Sequence, residues 1–191
     1  MAEALILSLV VVGMFSVFCW SLACIFRDAS IADLFWPLYH ALAVAVYFYL
    51  TAAKEISTPA IVFFILICVW ASRLFLHLFF RRLGQEEDHR YAAIRERNRE
   101  HFWWQSFFTI FLMQSCLAWL ICAPFGHVIL SDQSFSALHG LGLFIMVCGL
   151  LYEWVADEQL KNYLRRAPED DGKKRGVLAE GLWKFSRHPN Y

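Results

Sequence analysis

Uncharged stretches dominate the chain and set its elements. Residues 4–26 hold no Lys, Arg, Asp or Glu, and the same is true of 34–53, 56–72, 102–131 and 133–152. A bilayer core about 30 Å thick is crossed by roughly 20 residues of apolar helix, so each window is long enough or nearly so. The pattern predicts an all-α, polytopic transmembrane bundle in one domain, 1–191, with membrane helices at 4–26, 34–53, 56–80, 102–130 and 138–160. The first window lacks a basic start and outruns the apolar core of a cleaved signal peptide, so it counts as a retained helix. Asp28, Ser30 and Asp33 supply helix-start chemistry before Leu34, and Thr58-Pro59 starts the third helix. The fourth opens on the aromatic belt His101-Phe102-Trp103-Trp104 and is long enough to tilt or to end early at Pro124. Residues Asp132–Ser136 form the loop before the fifth.

Composition agrees with that reading. The 191 residues are 59% hydrophobic and 18% charged, against roughly 45–50% and about 25% in a soluble domain. Seventeen basic and seventeen acidic residues cancel, which leaves no electrostatic case for a nucleic-acid partner. Fifteen of the basic residues fall on one side of five alternating spans: Arg27, the six arginines between Arg81 and His101, and eight Lys or Arg after Tyr152. Only Lys54 falls on the other side, and Arg73 lies within a span. The positive-inside rule therefore puts the N-terminus outside and the C-terminal tail in the cytoplasm. The six cysteines all sit in apolar spans without C-x-x-C spacing and read as small packing residues. The histidines show no ligand spacing, so no metal is expected.

Candidate chemistry gathers at helix ends on the cytoplasmic side. Arg73, His77 and Arg81 follow one another at i, i+4, i+8 and share a face of the third helix. Arg73 lies about two turns inside the charged loop, so it either snorkels or lines a wet cavity wall able to take phosphate. Glu153, Asp157, Lys161 and Arg165 form a second stripe, which is either a solvated i, i+4 ladder or a set of carboxylates and cations facing a ligand. Residues Gly84–Glu100 interleave acids and bases as a solvated loop would, although Asp88, Arg90, Tyr91 and Arg95 lie close enough together to do more. The tail segment APEDDGKKRG is a turn by composition. After it, SRHPNY at 186–191 carries the densest polar chemistry in the chain. Pro189 holds His188 extended and can open a following helix, which would place Arg187, His188 and Asn190 at an N-terminus that favours anions.

The stretches SIADLFW (30–36), WASRLFLHLFFRR (70–82), EDHRYAAIR (87–95), Gln114, YEWVADEQL (152–160) and GLWKFSRHPNY (181–191) together resemble the membrane-embedded steroid 5-alpha-reductase-like family, in its bacterial branch of domains of unknown function. Sterol C14 and C7 reductases and, more remotely, isoprenylcysteine carboxyl methyltransferases are relatives. The resemblance implies a cytoplasm-facing NADPH pocket, with 161–191 as part of the cofactor site, and reduction of a carbon–carbon double bond in a sterol-like or other hydrophobic lipid. Glu153 and Asp157 then match positions at the nicotinamide and ribose end, and Asn190 matches the amide after the His-Pro pair. Arg165, Arg187, His188, Tyr191, Arg73 and Arg81 become cofactor-binding candidates, mostly toward phosphate. The family's proton donor has no match near Arg73, where Trp70 stands, and Tyr91 is the catalytic candidate. The family pattern also continues past HPNY into F-G-E and further helices, so the chain is expected to be cut short and possible loss of activity follows from that.

Two other classes remain. One is a lipid or prenylcysteine methyltransferase using S-adenosylmethionine, since R-H-P-x-Y elements occur there and an acidic pair suits an adenosine ribose. The other is a non-catalytic membrane protein whose polar stripes pair only with each other. Five short-looped spans suit a bacterial inner membrane, or the endoplasmic reticulum in a eukaryote.

Overall fold

The computed structural model describes residues 1–51, 55–166 and 176–190. They are almost wholly helical, and five helices are long and apolar enough to cross a bilayer. The chain divides into two compact units, Met1–Phe135 and Ser136–Tyr191.

In the first unit α1 is Ala2–Phe26, α2 Ile31–Thr51 and α3 Thr58–Arg82. A charged helix, α4 (His89–Asn98), leads through a 3-10 turn to α5 (Phe102–Ser106), a π-helical stretch over Phe107–Leu112, and α6 (Met113–Leu130). The central element is α2, which contacts α1, α3 and α6. Its neighbours approach it with small residues. On α1 the buried positions are Ala4, Ser8, Val12, Ser16, Cys19 and Ala23. On α6 they are Ser115, Ala118, Cys122, Gly126 and Ile129. In lipid, where burial of apolar surface gives helices no special advantage, such stripes let backbones come close enough for van der Waals packing. The space is filled from α2 by Tyr39 and Tyr47, both fully buried. Tyr47 lies against Gly126, where an added Cβ would stand 3.1 Å from the ring. Its hydroxyl accepts the Ser8 hydroxyl hydrogen (3.0 Å), and Trp119 Nε1 donates to Leu5 O (2.9 Å) and Ser8 Oγ (3.1 Å).

Helix ends follow the sequence chemistry in part. Ser57 caps α3 by accepting the Ala60 N–H, with Pro59 in the first turn. Arg27 ends α1 in the left-handed region (φ 53°), and both its N–H and that of Asp28 bond to Ala23 O. Pro124 does not end the fourth span, because α6 continues to Leu130; within a bundle a freed carbonyl can be satisfied by local adjustment. The reading of Gly84–Glu100 as a loop needs correction. Residues 89–98 form α4, capped by Asp88, whose side chain accepts the Arg90 N–H. Only Tyr91 of this helix is buried, so it has no apolar periodicity to reveal it. The helical rod carrying the fourth span therefore starts at His89 rather than 102.

The second unit is α7 (Ala137–Arg166) with the segment 176–190 folded back along its last turns. Helix α7 runs one and a half turns beyond its expected end, through a Lys161–Glu158 pair at i, i−3 (2.8 Å). Most of the APEDDGKKRG turn lies outside the described residues.

Candidate functional site

In the second unit hydrogen bonds tie the tail to α7. Tyr163 Oη donates to Gly176 O (2.6 Å) and Trp183 Nε1 to Ala156 O (3.0 Å). The Leu182 N–H donates to Gln159 Oε1 (2.9 Å). Asn190 Nδ2 donates to Asp157 Oδ1 (3.0 Å). Gly181 makes the return possible. Its φ is +59°, and an added Cβ would lie 2.6 Å from both terminal atoms of Gln159, so only glycine fits without displacing that side chain. The carboxylate of Asp157 is 3% exposed. Asn190 holds it through one amide hydrogen, while the amide oxygen is buried and has no hydrogen-bond partner among the described residues. A buried acceptor without a donor costs about 1–3 kcal/mol, so a ligand bearing O–H or N–H groups is favoured at this corner.

In the first unit the motif stretches 30–36 and 87–95 meet Gln114 around one carboxylate. Asp33 Oδ1 accepts from Tyr91 Oη (2.6 Å) and Gln114 Nε2 (3.3 Å), and Oδ2 accepts from Arg90 Nη2 (3.0 Å). Nearby, Glu87 accepts the Ala29 N–H (2.9 Å) and pairs with Arg95 (2.8 Å), whose Nη1 also donates to Arg27 O (2.9 Å). Asp28 accepts from Ser30 and Arg82, and Ser30 Oγ accepts the Asp88 N–H (3.0 Å). These bonds clasp the α1–α2 turn to the end of α3 and the start of α4. Hydrogen bonds from Arg90 hold the Asp88 carboxyl down at about 2, from an ordinary 3.8, against a smaller opposing effect of burial.

Of the predicted residues, Asp157 and Asn190 are brought into contact. Arg187 and His188 are exposed in the same segment, Arg165 is exposed on α7, and Glu153 is half-buried one turn before Asp157. Tyr191 lies outside the described residues. Arg73 is half-buried on α3 and Arg81 exposed at its end; the arginine there that pairs with Asp28 is its neighbour, Arg82. Tyr91 is buried with its hydroxyl on Asp33. Sequence reasoning missed Asp33 as an acceptor hub and Gln159 as an anchor of the tail, and it named Arg90 and Gln114 without their shared partner. The available signal was that Asp33, Arg90 and Gln114 lie in the stretches that carried the resemblance.

Residues 19–191 match a family model described as Protein of unknown function (DUF1295). The chain belongs to the DUF1295 family. No curated protein and no solved structure matches it. The DUF1295 match takes in both polar clusters and every motif stretch, and leaves most of α1 outside.

Proposed function

We propose that this DUF1295 chain belongs to a membrane-embedded reductase that uses NADPH on a carbon–carbon double bond of a sterol-like or other hydrophobic lipid, as its resemblance to the steroid 5-alpha-reductase-like family implies. The observation that carries the reading is the Asp157–Asn190 contact. Two residues 33 positions apart, Asp157 expected at the cofactor's nicotinamide and ribose end and Asn190 as the cofactor-contacting amide after the His-Pro pair, share a hydrogen bond in a buried corner. The donor set fits that group. Asp157, acceptor-only when ionised, suits ribose hydroxyls, and the unpartnered Asn190 Oδ1 suits the hydrogens of a carboxamide. Arg187, His188 and Arg165, all exposed, supply positive or hydrogen-bonding groups for phosphate oxygens. NADPH, when bound, supplies the hydride. The protein's own part in the second unit is to orient the cofactor through Asp157 and Asn190.

The test is equilibrium binding to the full chain in detergent. NADPH should bind to the wild type, and Asp157→Ala and Asn190→Ala should each weaken it at least about tenfold, the loss of roughly one strong hydrogen bond. Preferential binding of labelled S-adenosylmethionine would replace the reading by a lipid or prenylcysteine methyltransferase. If neither cofactor raises thermal stability, as a tight ligand must by mass action, a non-catalytic membrane protein is left.

A further inference from the structure

His40 lies near the middle of α2, far from either charged end of that span, and is 5% exposed. Its Nδ1 stands 3.1 Å from the carbonyl oxygen of Trp36. A carbonyl only accepts, so Nδ1 carries the hydrogen, and in a neutral imidazole Nε2 is then a lone-pair acceptor. Among the described residues Nε2 has no hydrogen-bond partner. Two indoles frame the ring edge-on: Trp36, centroid 4.8 Å away at 76°, and Trp70 of α3, 5.2 Å away at 86°. The backbone is engaged as well, since His40 O accepts from Cys122 Sγ at 3.8 Å. The imidazole is thus fixed in position and tautomer by α2, α3 and α6, with one acceptor left over at a depth where the bilayer offers little water. Ionisable groups inside a bilayer are costly and rare, and mark ligand or proton sites. The face of α3 that begins at Trp70 continues through Arg73, His77 and Arg81, reaching the charged end of the helix about 16 Å away at 1.5 Å per residue.

We propose that His40 Nε2 receives the hydroxyl hydrogen of a hydrophobic alcohol lodged between α2 and α3, with Trp36 and Trp70 as walls. The ligand class is a lipid whose polar group is a hydroxyl, not a carbonyl, because the group that faces it accepts a hydrogen bond rather than donating one. The inference rests on the reductase reading only for the claim that this lipid is the substrate; binding stands on the first unit alone.

The probe is cholestatrienol, a fluorescent sterol with one hydroxyl, titrated against the full chain in detergent without NADPH and followed by energy transfer from tryptophan. The alcohol should bind at least about tenfold tighter than its methyl ether. His40→Phe should erase that preference and leave ether binding unchanged, which also reports that the variant is folded. Independently of any variant, the alcohol and not the ether should shift one Nε2 resonance of the ¹⁵N-histidine-labelled protein. Equal binding of alcohol and ether, a preference that survives His40→Phe, or tighter binding of the corresponding ketone overturns the proposal. Hydroxyl preference without NADPH affinity sustains this inference and sinks the reductase; NADPH affinity without hydroxyl preference does the reverse.

Discussion

Replacing Asp33 by alanine removes the acceptor on which three side chains converge, and the structure ranks what each loses. Tyr91 is 9% exposed and its hydroxyl lies 2.6 Å from Asp33 Oδ1. A hydrogen bond to a charged acceptor contributes about 1.5–3 kcal/mol, and a buried hydroxyl left without one costs about 1–3. The side chain of Arg90 is 55% exposed and that of Asp33 35%, so their ion pair is screened by water and contributes no more than about 1 kcal/mol. Gln114 adds a longer bond of 3.3 Å. Asp33→Ala should therefore cost about 3 kcal/mol, Tyr91→Phe about 1–2, and Arg90→Ala less than about 1. The Asp33/Tyr91 double-mutant cycle should show a coupling of about 1.5 kcal/mol. Unfolding of the full chain by SDS in mixed micelles, followed by far-UV circular dichroism, measures all four. The reasoning fails if Arg90→Ala costs as much as Tyr91→Phe, or if the Asp33 and Tyr91 effects simply add, since either would show that burial does not weight these contacts.

Three other outcomes follow from single positions. Asp88 titrates at about 2 in the folded chain against 3.8 free, so its stabilisation is complete above the free value and is lost as pH falls toward 2. The thermal midpoint of the wild type should drop more between pH 4 and 2 than that of Asp88→Asn, which keeps a good N-cap without the charge; parallel curves would refute this. Gly126→Val would press a branched side chain into the Tyr47 ring, where even Cβ comes within 3.1 Å. It should destabilise the chain by about 1–3 kcal/mol in the same SDS titration, and a neutral result would mean that α2 and α6 can part freely. Gly181→Ala puts a Cβ at φ +59° and 2.6 Å from the Gln159 amide. Hydrogen exchange at the Leu182 amide should speed up while helicity is unchanged, and unchanged protection would show that the tail does not depend on that turn.

How much could be read in advance varies with the kind of signal. The apolar windows located the spans because lipid imposes a length and a composition that local sequence displays directly. Thr58-Pro59 marked a helix start by its own chemistry and α3 begins there. Helix α4 escaped because its evidence is distributed: one buried tyrosine, a cap at Asp88, and arginines whose partners are Asp33 in α2 and Arg27 O in the α1–α2 turn. The stripe logic singled out Arg81, whereas the arginine paired with Asp28 is its neighbour, Arg82. Which of two adjacent arginines reaches Asp28 depends on how α3 is rotated against α2, and spacing along one helix does not contain that rotation.

Sequence alone determined that this is an all-helical chain with five spans, and the distribution of its basic residues set the expected orientation, because both follow from free energies of transfer counted residue by residue. Tertiary structure decided that three side chains converge on Asp33, that Asp157 meets Asn190, and that His40 stands between two indoles. Hydrogen bonds act over about 3 Å, and residues 30 to 80 positions apart reach that range only once the helices have packed.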